Sequence, residues 1–505
     1  MAYLVVISTF ATAQEHLAPR SYDPQRQLYG ERSLFPPDEF GHPRGQANQI
    51  PGQQQSRTLD PESQAVEPAV YNQFPEDNAV EPVGWHEENE CACQRESKAS
   101  YSGYCGHCSD RWRLFPRSNW LEIGGWVDQG VTFNFSSPND RSNTRVLFND
   151  RSNDYLLNQV YLYMEVPVCN DGSQWDIGGR VDVIYGRDSR FVTVPGLERH
   201  RDRSPKWNRE NGLNGVALPQ AYVEVAAPWR NGVSLKVGHF YSNMGYERFA
   251  APDNFFYSHS YSFLFSEPFT FTGALATTKP SDVVTFNVGY TNGWDVWDST
   301  SNEWGLLAGV RLDSPDGRTS LSVQVLHGED LTAVRSGNVF VDETRSAWTL
   351  LFKHCLTERL RYVLQHDFGF QEDGRIIATI PTSTISFDSA KWYSINQYMI
   401  FEHNEQVSSG LRVEWFRDQD NSRTSVPVVF NPGGPVFNGG NYVAVTGGVN
   451  WRPRSNVIIR PELRWDWSDL QGNPNVPGGD ASVRAFVDGT QSSQVTAALD
   501  VIIHY

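Results

Sequence analysis

The sequence has no run of about 18 apolar residues, the length that a helix needs to cross a bilayer. It also has no surplus of positive charge, with 42 Lys and Arg against 59 Asp and Glu. The resulting net charge of −17 argues against nucleic acid as a partner, because a phosphate backbone is bound by basic surfaces. These two absences exclude a helical membrane protein and disfavour a nucleic-acid-binding protein.

Catalytic signatures are absent as well. The chain contains no G-x-S-x-G, no H-E-x-x-H, no Walker loop and no dinucleotide-binding fingerprint. Its many Asp and Glu residues include no pair that stands out as a general acid and base. We therefore expect no catalytic residue, no metal and no cofactor. An enzyme built on a membrane barrel remains an alternative, without a nominated nucleophile.

What the sequence does contain is alternation with a period of two. In residues 494–505 every second residue back from Tyr505 is apolar, and the intervening residues are mostly polar or small. This pattern predicts a β-strand with one apolar face. A final strand ending on an aromatic is typical of a transmembrane barrel, which must close and leave no edge in lipid. It also resembles the signal read by the assembly machinery of Gram-negative outer-membrane proteins.

From residue 118 onward the chain repeats this pattern in sixteen segments of about 10 to 13 residues, the length of a membrane-crossing strand. The connections alternate between long loops and short turns, a layout typical of a bacterial outer-membrane barrel and not of a sandwich or propeller. We predict an all-β fold, an antiparallel transmembrane barrel at 118–505. The predicted strands are 118–134, 154–166, 174–186, 217–228, 231–241, 268–278, 281–292, 302–312, 317–328, 343–354, 357–369, 389–402, 406–418, 442–452, 455–467 and 493–505.

The two faces of these strands differ in charge. In 455–467, for example, Leu463 and Trp465 alternate with Arg464 and Asp466. A row of charges is costly in a dry core but natural along a water-filled lumen. The residues predicted to line the lumen are Arg180, Asp182, Arg361, Asp367, Arg412, Glu414, Arg460, Glu462, Arg464 and Asp466.

The N-terminal part is different. Residues 1–13 combine a short apolar stretch with Ala11-Thr12-Ala13, which fits a short, atypical secretory signal. Residues 14–117 are rich in Pro, Gln and charge, so we expect a mostly disordered periplasmic extension. The extension carries four cysteines that could form disulfides in an oxidising compartment or, with a weaker pattern, bind zinc. They are Cys91, Cys93, Cys105 and Cys108.

The most aromatic stretch, 238–274, falls in a loop position, where it must pack against something. Its motif consists of Gly238, Phe240, Gly245, Glu247, Pro252, Asn254, Phe256, Tyr257, Ser258, Ser260, Pro268, Phe269, Thr272 and Gly273. This motif, together with Asn292-Gly293-Trp294-Asp295 farther on, resembles the OmpL-like β-barrel porin family of Gram-negative outer membranes. The resemblance implies a pore-forming barrel in the outer membrane.

By strand count, 242–267 is the third long loop, which folds inward in general porins. We expect it to narrow the pore, with charged groups facing the water path and selecting solutes by their charge. The candidates are Glu247, Arg248, Asp253, His259 and Glu267.

The function expected from these features is passive diffusion of small hydrophilic solutes or ions through an outer-membrane barrel. The expected partners are lipid, the solutes and the assembly machinery, with a homotrimer by analogy and no nucleic acid. Both barrel termini would lie in the periplasm, because the strand count is even. The non-enzymatic alternative is a secreted or surface all-β carbohydrate-binding protein.

Overall fold

A computed structural model describes residues 114, 120–170, 172–200, 204–209, 212–229, 231–298, 304–332, 341–379, 384–424, 439–472 and 482–505. The predicted signal at 1–13 lies outside these residues, and so does the predicted extension at 14–117 apart from Leu114. Residues 118–119, at the start of the first predicted strand, also lie outside them. So do the four clustered cysteines.

Sixteen antiparallel strands close into a barrel in which each strand pairs with its neighbours in sequence and β1 pairs with β16. The strands are β1 (Glu122–Asn134), β2 (Tyr155–Val166), β3 (Asp176–Gly186), β4 (Gly215–Ala227), β5 (Val233–Tyr241), β6 (Thr270–Ser281), β7 (Val284–Thr291), β8 (Gly305–Asp313), β9 (Thr319–Thr332), β10 (Val341–Cys355), β11 (Leu360–Thr379), β12 (Thr384–Glu402), β13 (Val407–Asp418), β14 (Gly440–Arg454), β15 (Val457–Ser468) and β16 (Ser493–His504).

The predicted fold class is confirmed, including the number of strands and their antiparallel order. The largest differences are in β9 to β12, which extend farther toward the long-loop end than predicted. Thr332 still pairs with Val341, and Thr379 with Thr384. Backbone pairing needs no apolar alternation once a strand has left the lipid. The hydrophobic pattern therefore underestimates the length of these strands.

Alternation along β15 shows how the strands divide the two environments. Leu463, Trp465 and Trp467 are 54%, 41% and 37% exposed, whereas Arg464 and Asp466 between them are fully buried. In a soluble protein this arrangement would place the apolar groups in water. It fits a barrel whose outer face meets lipid and whose inner face is polar.

The barrel closes at the C-terminus through backbone and side-chain contacts of Tyr505. Its N–H donates to the carbonyl of Gly125 (3.0 Å), and the Gly125 N–H donates back (3.2 Å). The Tyr505 hydroxyl donates to the carbonyl of Tyr161 in β2 (2.8 Å). The last residue thereby satisfies backbone groups at the seam that would otherwise be unpaired in lipid.

Helical structure is sparse in the described part of the chain. The helix α1 (Tyr261–Phe265) lies in the loop between β5 and β6, and the Ser260 side chain caps it by accepting from Phe263 N–H. Among the described residues, no helix is long and apolar enough to span a membrane.

Candidate functional site

The connection between β5 and β6, residues 242–269, turns inward and fills part of the barrel; we call it the inner loop. Most of its residues are buried, and no side chain in it is exposed. Its aromatic residues explain why it leaves water. Phe249, Phe263 and Phe265 belong to one apolar cluster with inward-facing residues such as Trp392 and Phe416. The predicted packing of the aromatic stretch therefore takes place within the barrel.

The inner loop also takes part in a second apolar cluster. Phe255 and Phe256 of the inner loop pack with Leu351 of β10, Val363 of β11 and Tyr398 of β12. The ring of Phe256 also lies under the Arg412 guanidinium, 5.1 Å from the ring centroid. The loop thus reaches β10 to β13 after leaving the barrel wall at β5.

Charged side chains of β13 and β15 bind the backbone of the inner loop. Arg460 Nη1 donates to the carbonyls of Ala251 (2.8 Å) and Asn254 (2.7 Å). Glu462 accepts from the N–H groups of Tyr257 (2.9 Å) and Ser258 (3.1 Å).

Three further side chains continue these contacts along the loop. Arg464 donates to the carbonyl of His259 (2.6 Å) and Arg412 to that of Ser258 (2.7 Å), while Glu414 accepts from Tyr261 N–H (2.5 Å). We call these five residues the backbone clamp: Arg412, Glu414, Arg460, Glu462 and Arg464. Hydrogen bonds with one ionised partner are stronger than neutral ones, so the clamp holds the loop firmly.

Glu247 links the loop to the clamp. Its carboxylate accepts from Arg412 Nη1 (2.8 Å), the Tyr398 hydroxyl (2.8 Å) and Ser260 N–H (2.9 Å), and it lies 3.0 Å from His259 Nδ1. Burial alone would raise the pKa of Glu247, but the Arg412 charge and the His259 ring lower it to about 2. The carboxylate is therefore ionised at neutral pH, and its stabilising effect is lost only as the pH falls from about 4.5 toward 2.

Amide side chains fix the loop on other walls of the barrel. Gln159 of β2 donates to the carbonyl of Phe249 (3.0 Å) and accepts from Ala251 N–H (3.2 Å). Gln365 of β11 accepts from Tyr246 N–H (2.8 Å). Sequence reasoning singled out neither residue, because a neutral amide within a strand carries no signal of a partner in a distant loop.

The five predicted constriction residues divide into two groups. Glu247, His259 and Glu267 are buried, at 6%, 4% and 3% exposure, within contacts of the loop. Arg248 and Asp253 are partly exposed. Arg248 Nη1 donates to the carbonyls of Met244 (3.1 Å) and Gly245 (3.2 Å).

The ten residues predicted to line the lumen lie on polar strand faces, but most of them are covered. Arg180 and Arg361 retain 12% and 13% side-chain exposure and pair with Glu165 and Glu402, both at 2.9 Å. The other eight are buried: Asp182, Asp367, Arg412, Glu414, Arg460, Glu462, Arg464 and Asp466.

The wall formed by β4 to β8 is more open. On its polar face Glu224, Lys236, Asn287 and Gly309 are only partly buried. Lys236 lies 3.9 Å from Glu224 and 4.3 Å from the centroid of the Tyr222 ring. The inner loop therefore covers the β13–β15 side of the barrel more completely than the β4–β8 side.

Two motif residues have a clear backbone role. Gly245 has φ +72°, and a Cβ there would lie 2.0 Å from the Glu267 carboxylate. Asn254 closes the turn, since its amide donates to the carbonyls of Arg248 (2.6 Å) and Ala250 (2.9 Å) and accepts from Arg248 N–H (2.8 Å). These positions shape the loop so that it fits inside the barrel.

Both carboxylate oxygens of Glu267 are buried within the loop, and the Arg248 charge only partly offsets that burial. The nearby amide of Gln365 donates to Asp367 (3.0 and 2.9 Å). Burial first, and the Asp367 charge second, raise the pKa of Glu267 well above its ordinary value. The neutral form is favoured in the fold, so the protein should lose stability as the pH rises above about 4.5 toward that raised pKa.

We predict that Glu267→Gln removes this loss, because an amide cannot ionise. The thermal unfolding temperature of the variant should exceed that of the wild type at pH 8 and match it near pH 4. Asp313→Asn in β8 is the matched control, since that partly exposed carboxylate pairs with Arg311 (3.0 Å). An equal difference between wild type and Glu267→Gln at both pH values would contradict the prediction.

The comparison with known families agrees with this architecture. The sequence model of the family described as "Putative beta-barrel porin-2, OmpL-like" matches residues 120–505. The chain belongs to this family. The match covers the whole described barrel, and the resemblance seen in 238–274 is thereby confirmed. As a member of this porin family with a closed sixteen-stranded barrel, the chain is an outer-membrane porin. No curated protein matches the sequence.

Solved structures with a similar fold include three outer-membrane channels. The anion-selective porin from Comamonas acidovorans has 10% identity and a TM-score of 0.48, covering 76% of this chain and 99% of its own. DcaP of Acinetobacter baumannii has 11% identity and a TM-score of 0.46, with 76% and 97% covered. OprB of Pseudomonas putida has 11% identity and a TM-score of 0.46, with 76% and 94% covered. Likenesses at this level add nothing to the family assignment.

Proposed function

We propose that this porin lets small hydrophilic solutes or ions diffuse passively across the outer membrane, through a pore narrowed by the inner loop. The observation that supports the proposal is the clamp, in which five charged side chains of β13 and β15 hold the backbone of a loop inside the barrel. A segment held this way reduces the cross-section of the lumen but leaves a path along the strands that it does not cover. The conductance should accordingly be low for a barrel of sixteen strands.

The water path in this proposal follows the β4–β8 wall. That wall retains partly exposed polar groups, among them Glu224, Lys236 and Asn287. Arg248 and Asp253, the partly exposed charges of the inner loop, are the residues we propose to face the passing solute. Glu247, His259 and Glu267 then stabilise the loop through buried contacts. The opposite charges of Arg248 and Asp253 create a local electric field that acts on the solute.

We further propose that both barrel termini face the periplasm, as the even strand count and the long loops on one side favour. The same proposal includes a secretory signal at 1–13 and a periplasmic extension at 14–117. It also includes insertion by the barrel assembly machinery, which would recognise the strand ending at Tyr505, and assembly into a homotrimer. Passive diffusion needs no chemical step, and no residue is proposed to be catalytic.

Liposome swelling tests the proposed transport. Vesicles that contain the purified chain should swell in small sugars and amino acids, and the rate should fall steeply with solute size because the inner loop limits the opening. Vesicles without protein provide the baseline. Detergent-dependent protein that gives no swelling with any solute would contradict passive diffusion, and protein that stays soluble without detergent would favour the secreted carbohydrate-binding alternative.

A further inference from the structure

A small cavity lies beneath the turn formed by residues 249–254 of the inner loop. It has a volume of about 10 Å³ and lies between that turn and strands β1, β2 and β15. This volume is close to that of one water-sized sphere. Its polar lining comes from Asp128, Gln159, Asp188, Asn254, Tyr257, His259 and Arg460.

Carboxylates outnumber cations around this cavity. Asp128 and Asp188 line it, and Asp500 lies on the same face of the β1–β16 pair, where it faces Gly130, two residues from Asp128. All three are buried, at 1%, 2% and 0% exposure. Arg460 is the only lining residue with a permanent positive charge. Several buried carboxylates beside one guanidinium leave an excess of negative charge unless something else neutralises it.

Two of the three carboxylates have donors of their own. Asp500 accepts from Arg460 Nε at 3.0 and 3.1 Å and also from its Nη2. The remaining terminal nitrogen of Arg460 donates to loop carbonyls, as part of the clamp. Asp188 accepts from the amides of Asn158 (3.3 Å) and Gln159 (3.0 Å).

Asp128 differs from the other two, because its only side-chain hydrogen-bonding partner among the described residues is another carboxyl group, that of Asp500. The Oδ1 atom of Asp128 is buried and has no hydrogen-bond donor. Leaving a carboxylate oxygen without a partner in a buried site is costly. The oxygen belongs to a residue that lines the cavity, so a small occupant there would supply the missing partner.

We propose that this cavity binds one small monovalent cation, with Na⁺ as the best match. Carboxylate, amide and hydroxyl oxygens suit a hard cation. Among the described residues no three His, Cys, Asp or Glu side chains are arranged to hold a metal ion, which disfavours a divalent or transition metal. The cation neutralises Asp128 and joins β1 to the 249–254 turn. This inference does not depend on whether the pore conducts.

The site would act as a fastening point for the inner loop on the wall opposite its contacts with β10 to β12. Gln159 already ties β2 to Phe249 and Ala251 in the same turn. A cation beside Asp128 would add a contact from β1, so the folded barrel should be more stable in sodium than in a cation too large to enter.

The test uses the purified full chain in detergent, with choline replaced by sodium at constant chloride concentration. We expect the thermal unfolding temperature, followed by Trp fluorescence, to rise by several degrees and to saturate with sodium. The ²³Na NMR signal should broaden when the folded protein is added. Asp128→Asn should abolish both responses and unfold in choline no earlier than the wild type, because the unpaired charge is gone.

Asp367→Asn is the matched control, because it removes another buried inward carboxylate. Asp367 accepts from Thr349 (2.7 Å), Ser394 (2.6 Å) and Gln365, so it has its own donors. This variant should be less stable but respond to sodium as the wild type does. Equal unfolding temperatures in sodium and choline, with no sodium broadening in the wild type, would overturn the proposal and leave a water molecule in the cavity. A normal sodium response in Asp128→Asn would overturn it equally.

Discussion

Deleting residues 246–262 should raise the single-channel conductance several-fold, because this segment occupies the lumen between β10–β13 and β15–β2. The barrel itself should still assemble, since every strand pairs with a neighbouring strand and none depends on the loop for its hydrogen bonds. The freed clamp residues would become hydrated in a wider pore, which lowers the cost of losing their loop partners.

A variant with a Gly-Ser segment of equal length in place of 246–262 separates the loss of specific contacts from the shortening of the chain. A cysteine at 498 gives a second readout. Ala498 is 6% exposed and faces Glu462, so Ala498→Cys should react with a water-soluble thiol reagent much faster after the deletion. The neighbouring Ala497→Cys should stay unreactive in both backgrounds, because it faces lipid. Unchanged conductance after the deletion would rule out narrowing by the loop.

Arg412→Gln should loosen the inner loop more than any other single change in the clamp. Arg412 is fully buried and donates to Glu247, to Ser258 and to Thr446 (3.2 Å). Removing one member of a buried ion pair costs about 3–5 kcal/mol, because the other charge is left without compensation. We expect a lower unfolding temperature, together with noisier and larger current steps in planar bilayers.

Two further variants identify the cause. Arg417→Gln also removes one positive charge from β13, but Arg417 lies on the opposite face of the strand from Arg412. This variant should change the unfolding temperature and the current steps little. Glu247→Gln combined with Arg412→Gln should cost less than the sum of the single variants, because both remove the same ion pair. Strict additivity would show that the two residues do not stabilise the loop together.

The barrel could be predicted from the sequence because its signal is local and repeated. Each strand, between 8 and 20 residues long, alternates between lipid-facing and inward-facing positions, and the turns contain residues that favour bends. Trp465 and Arg464 reveal their opposite environments simply by being adjacent. Strand ends were less predictable, because pairing in β11 and β12 continues beyond the apolar pattern.

The partners of the inward charges could not be predicted. Alternation indicates that Glu462 faces inward, but the N–H group of Ser258 that it binds lies 204 positions away in sequence. A charge that faces water and one that binds a loop backbone give the same pattern in a strand. The inner loop has no regular period either, so nothing in the sequence separates buried Glu247 from its partly exposed neighbour Arg248.

The central claim is that this chain forms an open but narrow outer-membrane pore. Single-channel recording of the purified wild-type chain in a planar bilayer tests it most directly. We predict discrete, long-lived, ohmic current steps that are small for a sixteen-stranded barrel, with a reversal potential in a salt gradient that reports the ion preference of the path. Protein that inserts but never conducts, with or without residues 246–262, would contradict the claim.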